Sequence, residues 1–195
     1  PYVITPPRKP YATEMLTPPE PLRIALMTRS WDGATYDPAV ATGLADTAKL
    51  CEQLGHRVSE AAPTFDWDQF LLTSMTYWTA NLPGWIDHIA AATGRPVDAT
   101  TLEATTLACY HHGKALKATD LLQAMAFTNM VTRSTAAFFQ NYDVLLTPTL
   151  PGPPLPIGSL NSNDSALGAE GWTRNVFGFT PLPPLFNMTG QPAIS

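Results

Sequence analysis

The sequence predicts an α/β protein in which helices flank part of a mixed β-sheet core. Residues 22–61 have the pattern of a strand, a helix and a second strand, and residues 142–147 form another apolar run of strand length. Between them, residues 66–141 carry apolar side chains at helical spacing. Strands that alternate with helices are typical of a sheet with parallel strands.

Local signals delimit the strand–helix–strand unit. Segment 22–27 is largely apolar, as expected for a strand that is at least half buried. Asp37 followed by Pro38 is typical of a helix N-cap with proline at the first helical position, and Gly55 supplies the C-terminal stop. A second strand at 56–61 follows, and the length of the crossover predicts parallel, right-handed pairing.

The region 66–141 is predicted to be a helical insert. Its apolar spacing is interrupted by Pro83 and Gly84, which should kink or break the first helix there. The near-continuous apolar run after the insert, stopped by Pro148, predicts an interior strand. The three helical stretches are 66–92, 99–110 and 120–141.

Proline marks the remaining segments. The chain has 20 prolines in 195 residues, and they concentrate in 1–21 and 148–184. Residues 1–21 are therefore predicted to be an extended linker, followed by one domain over 22–195. Residues 151–175 are predicted to be a long Pro-rich loop, and loops of such length are usually functional.

Composition excludes several classes of protein. The formal charge is −5, charged residues make up 14% of the chain, and no basic cluster is present, so nucleic acid and membrane surfaces are not expected partners. No apolar segment is long enough to span a bilayer. Cys51 and Cys109 lie outside any metal-ligand or disulfide pattern, which predicts free thiols, a cytoplasmic location, and no metal or cofactor.

No autonomous catalytic set is evident. Neighbouring histidines such as His111 and His112 point to different sides of a helix, so we interpret both as exposed or capping residues. Asp66 and Asp68 are better explained as charges at a helix N-terminus than as paired catalytic carboxylates. Motifs of nucleotide-binding, zinc-protease and nucleophile-elbow type are absent from the sequence.

Two motifs near the end of the chain resemble those of the amidase signature family. The first is YDVLLTPT at 142–149, and the second is FNMTGQPAIS at 186–195. The strand, the helix and the LGH segment at 54–56 resemble the unit that this family places after its signature region. In this order, the resemblance extends over most of residues 20–195 and implies an amidase-like α/β fold.

The resemblance implies a serine hydrolase of amides that uses a serine nucleophile, a second serine in a cis peptide bond and a lysine. The sequence has no GGSSGG-like run, and none of its four lysines lies in the expected context. We therefore expect a C-terminal-half fragment that contains no catalytic residue. The remainder of the same protein would carry the triad.

The same resemblance makes the helical insert and the segment after the last strand candidate walls of the substrate pocket. Ordinary core packing is the alternative explanation for each aromatic residue. We interpret Asn187 and Gly190 as parts of a structural turn. The candidate substrate-binding residues are Trp78, Pro148, Thr149 and Leu150, with Tyr77, Phe179 and Phe186 as further candidates.

The expected substrate is a small amide or carbamate with apolar groups, because the predicted wall is rich in Trp, Phe and Met. Within this family, the sequence resembles more loosely the hydrolases of aminohexanoate oligomers and of urethanes. Two alternatives stay open: the A subunit of a glutamyl-tRNA amidotransferase, and a non-enzymatic α/β domain that binds a small molecule.

Overall fold

The computed structural model describes residues 6–7 and 9–195. Three strands form one sheet in the order β2-β1-β3, and both pairings are parallel. Helices flank this sheet, so the predicted α/β class is confirmed. In chain order the elements are α1 (Tyr11–Glu14), β1 (Arg23–Leu26), α2 (Pro38–Gln53), β2 (Arg57–Glu60), α3 (Trp67–Thr93), α4 (Ala104–Ala115), α5 (Ala118–Phe138), β3 (Val144–Leu146), α6 (Gly168–Phe179) and α7 (Pro184–Thr189).

The sheet is built around its central strand. Ile24 and Ala25 of β1 are buried between the two neighbouring strands. The apolar run 142–147 predicted an interior strand, but within the described residues β3 pairs only with β1, and Val144 is 39% exposed. Its apolar character is explained by Leu145 and Leu146, which are partly buried and pack against the core cluster of Met27, Tyr36, Leu44 and Leu182.

Helix α2 begins and ends where the sequence predicts. The Asp37 carboxylate accepts a hydrogen bond from the backbone N–H of Ala39 at 2.8 Å, and proline occupies the first helical position. Gly55 has a φ of +92°, a left-handed conformation that favours glycine after a helix. Leu44 and Ala48 face the sheet side and are buried. The predicted strand–helix–strand unit is therefore confirmed.

Helix α3 is continuous through Pro83, so the predicted break at Pro83 and Gly84 was wrong. Proline cannot donate to the carbonyl of Thr79, four residues earlier. At this point α4 approaches so closely that a Cβ atom on Gly113 would lie 2.0 Å from the Thr79 carbonyl oxygen. The buried proline ring is therefore held in a tight contact between the two helices, and this packing offsets the missing hydrogen bond.

Side chains also join α3 to α4. The Thr79 hydroxyl donates to the Met75 carbonyl at 2.8 Å and lies 2.9 Å from Nδ1 of His112. The predicted exposed or capping role is therefore wrong for His112, which is half-buried in this contact. The Asp87 carboxylate accepts a hydrogen bond from Tyr110 at 2.7 Å and forms an ion pair with Lys114.

The predicted loop 151–175 is irregular only as far as residue 167. Its last part forms the start of α6, because Ala169, Thr173 and Phe177 recur every four residues and bury one face of a helix. Two backbone hydrogen bonds connect the irregular part to other segments of the fold. The backbone N–H of Asp37 donates to the Pro151 carbonyl at 2.8 Å, and that of Thr105 donates to the Ser162 carbonyl at 2.9 Å.

The two ends of the chain also differ from the predictions. The predicted linker 1–21 lies partly outside the described residues, at 1–5 and 8, and its residues 11–14 form one helical turn. No residue of this turn is buried, so local backbone hydrogen bonds explain it. Asn187 belongs to α7 instead of a turn, whereas Gly190 takes the predicted positive φ, at +80°.

Two apolar clusters form the core. Trp31 packs against both of them and donates from its ring nitrogen to the Pro181 carbonyl at 3.0 Å. Within the second cluster, burial raises the pKa of Tyr36 to about 12. The first cluster contains Phe70, Leu71, Phe127, Val131, Phe177 and Leu185, and the second contains Met27, Tyr36, Leu44 and Leu182.

An ion pair fixes β1 beside the start of β3. The Arg23 guanidinium donates to the Asp143 carboxylate at 2.7 Å, and the backbone N–H of Arg23 donates to the same side chain at 2.8 Å. These bonds lower the pKa of Asp143 to about 2. The ionised carboxylate therefore stabilises the fold at neutral pH.

Asp143→Asn is expected to lower the free energy of unfolding at neutral pH, with the effect vanishing in acid. Because the pKa of Asp143 lies below its ordinary value of 3.8, the stabilisation is complete above that value and is lost as the pH falls to about 2. Urea unfolding at a series of pH values measures this loss. Asp46→Asn, at an exposed position of α2, is the control. A deficit of Asp143→Asn that persists undiminished at about pH 2 would contradict the assignment.

Candidate functional site

The carboxyl ends of the parallel strands meet at one edge of the sheet, where α/β proteins generally bind their ligands. The segments that follow β1 and β3 are tied together there, because the backbone N–H of Met27 donates to the Leu146 carbonyl at 3.0 Å. The chain then runs through Pro148, Thr149 and Leu150 toward the start of α2. These three predicted residues thus follow the carboxyl end of β3 at this edge of the sheet, and Thr149 is exposed.

A cavity of about 400 Å³ lies beside this edge. One lining residue, Asp32, follows β1, and four come from the segment that follows β2 and begins α3. The volume falls within the range of roughly 300 to 1,000 Å³ that is typical of small-molecule sites. The cavity is lined by Asp32, Asp66, Trp67, Asp68, Leu71, Arg174 and Gly178.

The charges around this cavity are largely fixed by other contacts. Arg174 of α6 donates to Asp68 at 2.7 Å and to Glu170 at 2.9 Å, and these contacts raise its pKa. Asp66 accepts from the backbone N–H of Gln69 at 3.0 Å and so caps α3. The predicted role of Asp66 and Asp68 as charges at a helix N-terminus is therefore confirmed. Over the described ranges, no cluster of potential ligands has a geometry suited to a metal ion.

One residue of the cavity lining, Trp67, belongs to a chain of aromatic contacts that we call the aromatic row. The ring of Phe177 in α6 lies between two tryptophans of this row. Its centroid is 6.3 Å from that of Trp67 and 5.0 Å from that of Trp78. Trp31 enters the row through Phe65, at 5.1 Å. Ring contacts thus continue from the segment after β1 to the middle of α3, although Phe70 and Phe177 are buried. The row consists of Trp31, Phe65, Trp67, Phe70, Phe177 and Trp78.

The four predicted aromatic residues lie in four different places. Trp78 belongs to the aromatic row and is 54% exposed. Tyr77 faces α5, where its hydroxyl lies 2.9 Å from that of Thr128. Phe186 packs on the first core cluster, and Phe179 is half-buried at the end of α6, outside the row. None of the seven predicted substrate-binding residues lines the cavity, and the fold does not bring them into one pocket.

Sequence reasoning assigned none of the lining residues to a substrate site. Trp67 and Leu71 lie four residues apart on one face of α3, a spacing that was visible in the sequence. Arg174 and Gly178 could not be placed, because Arg174 lies in the part of α6 that was predicted as loop and no helix was predicted at Gly178. The lining contains carboxylates, a guanidinium and apolar groups, but no serine, cysteine or lysine. The lining therefore contains none of the hydroxyl, thiol or amine nucleophiles that these three residue types would supply.

Within the described residues, no helix combines the length and hydrophobicity that a bilayer crossing requires. This finding agrees with the sequence, in which no long apolar segment occurs.

Relatives and solved structures resemble the chain over nearly its whole length. The "Putative amidase AmiC" proteins of Mycobacterium leprae and Mycobacterium tuberculosis strain H37Rv are each 35% identical to it over 179 residues, or 89% of the chain. A structure of 6-aminohexanoate cyclic dimer hydrolase complexed with substrate superposes with a TM-score of 0.77 at 20% identity and covers 97% of the chain. That likeness supports the fold.

The chain spans only part of these proteins. It covers 36% of each AmiC sequence and 41% of the 6-aminohexanoate cyclic dimer hydrolase chain. The family model described as Amidase matches residues 2–195. From this match, and from the order of elements that the sequence predicts and the structure contains, we conclude that the chain belongs to the amidase (amidase signature) family.

Proposed function

We propose that the chain forms the scaffold and a pocket wall of an amide hydrolase that cleaves C–N bonds. Membership of the amidase family carries this proposal. The cavity at the carboxyl ends of the strands supports it, because that edge is where such folds bind ligands. Residues 22–195 would be the C-terminal part of a larger α/β domain, with 66–141 and 151–175 contributing the wall.

The chemistry of amide cleavage indicates which groups this chain would provide and which must come from the rest of the protein. The reaction needs an activated nucleophile, donors that stabilise the oxyanion, and a pocket that holds the acyl group and excludes competing water. The cavity lining supplies only the last of these. We propose that the rest of the same polypeptide provides the serine nucleophile, the second serine in a cis peptide bond and the lysine.

The substrates proposed are small amides or carbamates with apolar groups. Trp67 lines the cavity and is half-buried, and Trp78 of the same aromatic row is 54% exposed, while the carboxylates of the lining are exposed to water. An aliphatic or aromatic group would therefore lie on the aromatic row. Aminohexanoate oligomers and urethanes belong to this class, and the structural neighbour is named for such a compound.

We also propose a cytoplasmic location. Cys51 and Cys109 are free thiols, both half-buried, and burial raises the pKa of Cys109. Unpaired thiols of this kind are typical of reducing compartments.

Covalent labelling tests the catalytic part of the proposal. The complete polypeptide that carries this sequence is treated with a fluorophosphonate, and the modified residue is identified by mass spectrometry. We expect a single labelled serine outside residues 1–195. If the folded polypeptide never labels, the hydrolase assignment fails, and a binding protein without catalysis becomes the better explanation.

Trp78→Ala tests the proposed wall, with Trp85→Ala as its matched control. Both residues are exposed tryptophans of α3, but only Trp78 contacts Phe177 of the aromatic row. For an apolar amide such as hexanamide, Trp78→Ala should lower kcat/KM by about tenfold or more, because apolar contact area is lost. Trp85→Ala should leave kcat/KM unchanged. Equal effects of the two substitutions would contradict the placement of the wall.

A further inference from the structure

We propose that Gly178 sets the size of the substrate group that the cavity admits. This inference rests on the proposed function, since it takes the cavity as part of the substrate pocket. Gly178 is the only glycine among the seven residues that line the cavity. A residue without a side chain at this position leaves space that any other residue would fill.

The orientation of Gly178 is fixed by its helix. Phe177 is 2% exposed and packs against Trp67 and Trp78, which holds α6 on α3. Arg174 lies four residues earlier on the same face and also lines the cavity. Helical side chains lean toward the N-terminus of their helix, so a side chain at 178 would project toward Arg174 along the cavity wall.

Neither conformation nor packing requires glycine at 178. Its φ is not in the left-handed region, unlike that of Gly168 or Gly190. A Cβ atom at 178 would meet no atom within 4 Å, whereas one at Gly113 would overlap the backbone. Glycine is also a poor helix former, so most other residues would make α6 more stable. Glycine at 178 therefore keeps the adjacent part of the cavity open.

A larger side chain at 178 would therefore narrow the cavity without disturbing the fold. Leucine would occupy the space beside Trp67 and Leu71, where the proposed apolar group of the substrate lies. Short substrates need little of this space and should be unaffected. Long substrates would lose their contacts or be excluded, because a leucine side chain would take up volume that they would otherwise occupy.

The test compares Gly178→Ala and Gly178→Leu in the complete polypeptide with Gly43→Leu. Gly43 is a suitable control because it is also helical and open around its Cβ position, but it lies in α2 and does not line the cavity. Ammonia release from straight-chain primary amides, acetamide to octanamide, gives kcat/KM for each length. Thermal unfolding reports whether each variant is folded.

We expect Gly178→Leu to lower the ratio of kcat/KM for octanamide to that for acetamide by about tenfold or more. Gly178→Ala should lower this ratio less, and Gly43→Leu should leave it unchanged. A folded Gly178→Leu variant with the wild-type ratio would overturn the inference while the proposed function stands. If wild type hydrolyses none of the amides, the proposed function fails. In that case binding is measured instead, as the increase in Tm that octanamide causes. The inference stands only if octanamide raises the Tm of wild type and Gly178→Leu abolishes that increase.

Discussion

Gly113→Ala is expected to destabilise the protein by about 3 kcal/mol or more, although alanine is the better helix former. The added Cβ atom would lie 2.0 Å from the Thr79 carbonyl oxygen and within 2.9 Å of two ring carbons of Pro83. The nearest of these atoms is backbone, and the others belong to a rigid ring. The overlap can therefore be relieved only if α4 moves away from α3, which would also break the contact between Thr79 and His112.

Urea unfolding of the complete polypeptide measures this effect. Gly43→Ala in α2 is the control, because its Cβ atom meets nothing within 4 Å. That substitution should stabilise the protein by about 0.4 to 1 kcal/mol through the unfolded state. A Gly113→Ala variant as stable as wild type would show that the two helices do not approach each other as closely as described.

Phe177→Ala is expected to lower the free energy of unfolding by about 3 to 5 kcal/mol. The ring is 2% exposed and contacts three other aromatic rings, those of Trp67, Phe70 and Trp78. Its removal would leave a hole where α6 packs on α3. The wall residues of α6 would then lose their fixed position, so activity toward apolar amides should fall as well.

Phe179→Ala provides the comparison for this variant. Phe179 is half-buried, lies two residues further along, and takes no part in the aromatic row. Its replacement should cost about 1 kcal/mol, a typical value for a single substitution. Chemical denaturation and near-ultraviolet circular dichroism follow stability and aromatic packing. Similar losses for both variants would argue against Phe177 as the residue that fixes α6.

Local signals predicted the elements that depend on local interactions. Asp37, Pro38 and Gly55 delimit α2 through hydrogen bonds and backbone conformation within a few residues, so the sequence was sufficient there. Helix α3 was different, because the effect of Pro83 is decided by Gly113, thirty residues away. No pattern near Pro83 could have revealed that contact.

The distinction between local and tertiary interactions also explains which parts of the candidate site could be predicted from the sequence. Trp78 follows from helical spacing and from the family resemblance; it lies in the aromatic row but does not line the cavity. Arg174 and Gly178 line the cavity only because α6 forms and packs on α3. Three glycines in α6 gave it a weak helical signal, and the burial of Phe177 outweighs that weakness. Tertiary contacts therefore determine most of the cavity.

The position of Trp31 between the two core clusters has a consequence for how the fold melts. Its ring touches both clusters, and its nitrogen is bonded to the segment that joins α6 to α7. Neither cluster can open without exposing this side chain, so the sheet and the helical insert should unfold together as one cooperative unit. A ligand bound beside Trp67 would then protect the backbone amides of β1 from hydrogen exchange, although it does not contact them.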